Sequence, residues 1–188
     1  MVELIGVTGP SCSGKSTVCR EMEQRDEARR FSLDNFYRPE KELENNNYDH
    51  PNAVKFEQAY RALKDLKKGK EVVVPEFDKV NNEVVGEKTF EPFPLILVDG
   101  FMVLYHDKIR EILDKSIFLD IPKQEQLRRR KKRFREGGLY ADEDYFHETV
   151  YPAYKKYIEP TKEYADHVID ADKEPEEVIE EVLNKLEV

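Results

Sequence analysis

An α/β fold, with a mostly parallel central sheet flanked by helices, is predicted by three observations. Strand-like apolar runs alternate with helix-like amphipathic segments along the chain. The runs Leu95-Ile96-Leu97-Val98 and Ile117-Phe118-Leu119 lack polar alternation, as strands buried on both faces do. A loop with the pattern G-x-x-x-x-G-K-S, Gly9 to Ser16, stands between the first strand and the first helix.

The elements follow in order. Val2 to Thr8 reads as a buried strand and Ser16 to Glu23 as the helix after the loop. Arg30-Phe31-Ser32-Leu33 is a short strand ending at Asp34, and residues 38–52, with Asn45-Asn46-Asn47, read as a polar loop. Asn52 is placed to cap a helix beginning at Ala53. Its apolar positions Phe56, Ala59, Tyr60, Leu63 and Leu66 recur at helical spacing, and Gly69 stops it. Glu71 to Pro75 is a short strand, and Asn81-Asn82 between two valine-containing stretches suggests a hairpin turn. After the strand ending at Asp99, residues 107–114 look helical, and Ser116 to Asp120 is a strand stopped by Pro122. Residues 123–135 and 142–158 read as helices separated by Gly137-Gly138. His167 to Asp170 is a last strand, and residues 175–186 form a closing amphipathic helix.

A length of 188 residues suits one domain spanning 1–188, with a substrate-side insertion about 38–92 and a lid about 123–140. The charged fraction is 38% and the net charge −9, which argues against a nucleic-acid partner. The only cysteines, Cys12 and Cys19, have neither disulfide-framework nor metal-knuckle spacing and read as reduced thiols of a cytoplasmic protein. No apolar run approaches the ~20 residues that span a bilayer, so no membrane partner is expected. With a strand beginning at residue 2, no signal peptide is expected either. The oligomeric state is left open, a homo-oligomer included.

The loop carries the first chemistry. Its backbone N–H groups and the helix N-terminus form a cradle for an anion, which specifies a P-loop nucleoside triphosphate hydrolase fold. Gly9, Ser11, Ser13, Gly14, Lys15, Ser16 and Thr17 are the candidate nucleotide-binding residues. Lys15 would reach the outer phosphates, and the Ser16 hydroxyl would sit on Mg²⁺. Asp99, ending a buried strand, is either the second metal-side oxygen donor or a turn cap with Gly100. Asp34 would face the same crevice, where a carboxylate can take the proton of an attacking hydroxyl; an Asx-turn is the plainer reading.

Four further motifs make the sequence recognisable. Ser32-Leu33-Asp34-Asn35-Phe36-Tyr37-Arg38, Tyr48-Asp49-His50-Pro51-Asn52-Ala53, Gly69-Lys70 with Val74-Pro75-Glu76-Phe77-Asp78, and Glu159 to Asp166 resemble the uridine kinase family in order and spacing. The resemblance covers nearly the whole chain. Gly100-Phe101, Arg128-Arg129-Arg130, Tyr145-Phe146 and Val150 to Tyr154 look more like nicotinamide riboside kinases. Both are small kinases that use ATP and Mg²⁺ to phosphorylate the 5′-hydroxyl of a ribonucleoside.

The resemblance implies roles at the matching positions. Asp34 would be the general base, and Asp49 would accept hydrogen bonds from the ribose hydroxyls. Tyr37 would help wall the sugar site, His50 is either structural or lines the nucleoside pocket beside Asp49, and Arg130 and Arg133 would come from an Arg-rich lid to face the phosphates. The family usually carries Pro-x-Tyr-Asp and then a histidine; here Phe77 and Asn82 stand at those positions. Asn82 either reads the base or merely makes the hairpin turn. A nucleotide-driven switch without an acceptor is the reading from another class, and Asp34, Tyr37 and Asp49 argue against it. The remaining lid cations are expected to be solvated or paired with Glu125 and Glu136.

Overall fold

The computed structural model describes residues 1–43, 47–136 and 143–186. Five strands form one all-parallel sheet in the order β2-β5-β1-β6-β7: β1 (Glu3–Thr8), β2 (Arg29–Ser32), β5 (Leu95–Asp99), β6 (Lys115–Asp120) and β7 (His167–Asp170). A separate antiparallel hairpin pairs β3 (Val72–Asp78) with β4 (Glu83–Phe90). The helices are α1 (Lys15–Gln24), α2 (Phe56–Lys67), α3 (Asp107–Ile112), α4 (Lys123–Arg135), α5 (Glu143–Tyr145), α6 (Tyr151–Ala153) and α7 (Pro175–Leu186). The predicted fold class is the observed one.

Side chains alternate across the sheet with the two-residue period of a strand. Leu4, Ile96, Val98 and Phe118 face a core completed by Ala59, Leu63 and Leu66 of α2 and Ile109 of α3. Ile5, Val7, Leu97, Ile117 and Leu119 face the other core, completed by Val18 and Met22 of α1 and by Val178, Ile179 and Val182 of α7. Because both faces are covered, β5 is buried along its whole length, which is why it reads as an unbroken apolar run.

The departures from expectation have local causes. The helix expected from Ala53 begins at Phe56, because Pro51–Ala53 forms a separate 3₁₀ turn. The His50 Nδ1, not Asn52, caps that turn by accepting from the Asn52 N–H at 3.1 Å. The helical segment expected over 142–158 alternates short α-helical pieces, Glu143–Tyr145 and Tyr151–Ala153, with π-helical turns at Phe146–Val150 and Tyr154–Ile158. The strand expected to end at Pro75 runs on to Asp78, since an isolated hairpin tolerates a proline. Asn45, Asn46 and the Gly137-Gly138 pair lie outside the described residues.

The register brings the site together. Ser32 at the end of β2 and Val7 of β1 both pair with Asp99 at the end of β5. The carboxyl ends of three strands thus open onto one crevice, where ligands of open α/β sheets bind.

Candidate active site

The loop after β1 is wound tightly by residues with positive φ: Gly9 at 135°, Cys12 at 65° and Gly14 at 99°. Gly9 is also sterically required. A Cβ there would lie 2.2 Å from the Leu119 carbonyl oxygen, as β6 passes close behind the loop. Gly14 is the N-cap of α1 and no side chain caps the helix, so its first turn is open to an anion. Lys15 is buried and folds back on the loop, its Nζ donating to the carbonyls of Gly9 at 2.9 Å and Pro10 at 2.7 Å. Burial lowers its pKa, and the charges of Asp99 and Asp34 among others work the other way. Ser13 is buried within Lys15's reach at 3.4 Å, while Ser11 and Thr17 are more exposed on the loop and the helix.

Ser16 and Asp99 meet beside the loop. The Ser16 hydroxyl donates to Asp99 Oδ2 at 2.8 Å. These are hard oxygen donors of the kind a divalent cation needs, and Asp99 is 2% exposed. Among the described residues there is no cluster of three or more metal-binding side chains. A cation held between one hydroxyl, one carboxylate and the nucleotide's own phosphates needs none. The sequence reading missed the partner both share. Arg30 of β2 places Nε 2.6 Å and Nη2 2.5 Å from Asp99 Oδ2, with Nη2 3.4 Å from Ser16 Oγ. Arg30 is half-buried on the short edge strand β2, and nothing in that strand's own pattern marks it.

On the acceptor side, Asp34 lies in a 3₁₀ turn, Leu33–Phe36, directly after β2. Gly100 lets this turn approach β5, since a Cβ on Gly100 would lie 2.7 Å from the Leu33 Cβ. Asp34 is ion-paired through Oδ2 with Lys79, from the turn between β3 and β4, a second residue absent from the sequence reading. Tyr37, Tyr48 and Phe77 form a ring of aromatic contacts with centroids 5.3–6.0 Å apart, and Phe101 stands 6.5 Å from Tyr37. Asn82 sits at φ 52° in the hairpin turn, its carbonyl accepting from the Glu40 N–H at 3.0 Å, which favours a turn role.

The remaining candidate residues divide. Asp49 takes a hydrogen bond from Tyr145 and lies near Arg130. Burial raises its pKa, against the pull of Arg130 and Tyr145. Arg130 is 8% exposed and packs beside this carboxylate, whereas Arg133 is exposed. His50 packs edge-on against Tyr157 at 5.1 Å, in addition to its capping bond. Arg128 and Arg129 both pair with Glu125, and Lys132 reaches Glu136 at 3.9 Å, the carboxylates expected to partner these cations. Arg129 also donates to the Ala171 carbonyl at 2.7 Å, tying α4 to the segment after β7.

A phosphate loop, a hydroxyl–carboxylate pair beside it and a second carboxylate on the turn after β2 define a phosphotransferase that acts on a hydroxyl group. Residues 4–176 match the Phosphoribulokinase / Uridine kinase family, and the chain belongs to that family. It is 35% identical over 178 residues to a uridine kinase of Borrelia turicatae, covering 90% of this chain and 86% of that one. It is 36% identical over 182 residues to uridine-cytidine kinase B of Dictyostelium discoideum, covering 88% and 73%. A solved structure from Bacillus stearothermophilus, described as a possible uridine kinase, superposes with a TM-score of 0.68 at 18% identity, covering 90% and 89% of the two chains. At that identity the likeness speaks for the fold alone.

Proposed function

We propose that this protein transfers the γ-phosphoryl group of ATP, with Mg²⁺, to the 5′-hydroxyl of a ribonucleoside, and that uridine and cytidine are its favoured acceptors. The observation that carries this reading is the placement of Asp34. It stands close enough to the loop to act on the Lys15 charge, and its turn leads directly to Tyr37, which packs with Tyr48 and Phe77. A switch protein has no use for such a carboxylate. The names of the relatives support a pyrimidine nucleoside as acceptor.

Asp34 accepts the proton of the attacking hydroxyl. Lys79 holds Oδ2, which leaves the other oxygen for the substrate. Asp49 presents its carboxylate to the vicinal ribose hydroxyls, and a site built this way rejects acceptors that lack them. Lys15 leaves the loop carbonyls for the outer phosphates, and the first turn of α1 holds them by its N–H groups. Ser16 and Asp99 are the residues that would hold the Mg²⁺, which neutralises phosphate charge when bound. The packed rings of Tyr37, Tyr48 and Phe77 and a lid drawn from α4 exclude water from the transfer.

The test is incubation with ATP and Mg²⁺ and a panel of uridine, cytidine, adenosine and nicotinamide riboside, with 5′-monophosphates read by mass. Uridine and cytidine should be converted. ATP consumption that no nucleoside accelerates would sink the proposal, and turnover of nicotinamide riboside alone would replace its acceptor.

A further inference from the structure

Asp99 Oδ2 carries three donors at once: the Ser16 hydroxyl at 2.8 Å and Arg30 Nε and Nη2 at 2.6 and 2.5 Å. The same Nη2 stands 3.4 Å from Ser16 Oγ. Arg30 therefore touches both oxygens that would hold the metal. The geometry points to Arg30 as an internal stand-in for the divalent cation, seated on Ser16 and Asp99 without nucleotide and displaced when the metal–nucleotide complex enters. This inference rests on the nucleotide-site reading of the loop.

Burial, register and charge argue for it together. The Asp99 side chain is 3% exposed, and a carboxylate so buried needs a cation. Arg30 supplies one but remains 21% exposed, so it has a way out. In the sheet Arg30 pairs with Leu97, while Ser32 pairs with Asp99. The side chain thus reaches two residues along the strand to meet the carboxylate, and withdrawal needs no movement of the backbone. Glu23, whose Oε1 already accepts from the Arg30 backbone N–H at 3.1 Å, is a carboxylate at the root of the residue. A guanidinium and a divalent cation are both positive and cannot share one carboxylate oxygen and one hydroxyl. Their competition reduces the apparent affinity for the metal complex by the fraction of molecules in which Arg30 has left.

Calorimetric titration with ADP, once with Mg²⁺ and once with EDTA, tests this on the wild type, Arg30→Met and Arg30→Lys. If the seated state holds about nine-tenths of the molecules, Arg30→Met should tighten Mg·ADP binding about tenfold. Metal-free ADP should bind Arg30→Met as it binds the wild type. The melting temperature of Arg30→Met without ligand should fall and recover with Mg²⁺, which replaces the lost cation. Arg30→Lys keeps a charge but presents a single nitrogen, should fall between the two, and carries the test if Arg30→Met does not fold. Parallel weakening of both forms of ADP would instead make Arg30 a phosphate ligand and overturn the proposal. A fall in melting temperature with unchanged affinities would reduce Arg30 to a structural ion pair. A wild type that binds no ADP in either buffer would refute the nucleotide reading itself, an outcome distinct from these.

Discussion

Asp34 is held from two sides, by the turn that Gly100 allows against β5 and by Lys79 from the hairpin. Its position is therefore set before any acceptor arrives. Asp34→Asn should lower kcat by about 10²–10⁴-fold while ADP still binds, measured by steady-state kinetics beside calorimetry. An unchanged rate would remove it from the mechanism. Gly9 is constrained differently. A methyl group there meets the Leu119 carbonyl at 2.2 Å in a backbone region that side chains rarely adopt. Gly9→Ala should cost about 1–3 kcal/mol of stability and abolish tight ADP binding, seen by thermal melting and titration. Asp34, Lys15 and Asp99 were all legible in the sequence because each sits at a fixed place in a strand–loop pattern. Arg30 and Lys79 were not, because each reaches its carboxylate across a contact between segments far apart in the chain.

The helix α4 shows what short-range pairing does for an element. Glu125, in its first turn, accepts from Arg128 and Arg129 one turn on, and Arg129 in turn donates to Ala171. The Arg128 hydrogen bond, set against burial and helped by Arg129, holds the Glu125 carboxyl at a pKa of about 2 instead of the ordinary 4.5. A lowered carboxyl pKa adds stability that is complete above the unfolded value and lost as pH falls toward the folded one. Glu125→Gln should thus cost about 1 kcal/mol at neutral pH, and its melting curve should converge with the wild type's between pH 4.5 and about 2. A gap that stays constant through that range would refute the assignment. The element itself was readable: residues 123–135 are a helix in sequence and in structure. The π-turns of 146–158 were not, because inserting one residue into a helical turn leaves the apolar spacing nearly unchanged.

At the scale of the molecule, two cores on opposite faces of one sheet share β5 between them. Leu97 is fully buried in the core under α1 and α7. Leu97→Ala should cost about 2–5 kcal/mol in denaturant unfolding. A loss below 1 kcal/mol would mean that the α1–α7 layer packs without it. The parallel sheet could be anticipated because burial on both faces erases polar alternation from its strands. The separate hairpin was harder to place, since the exposed Val73, Val80 and Val85 give it apolar residues that no core explains.

The two thiols differ in a way that can be put to use. Cys19 is wholly buried, and burial pushes its thiol well above the usual range. Cys12 is partly exposed within the loop itself. Alkylating reagents at neutral pH should therefore mark a single place in the molecule, at the mouth of the phosphate cradle. Protection of that mark gives a footprint of loop occupancy that needs no turnover, no acceptor and no engineered label.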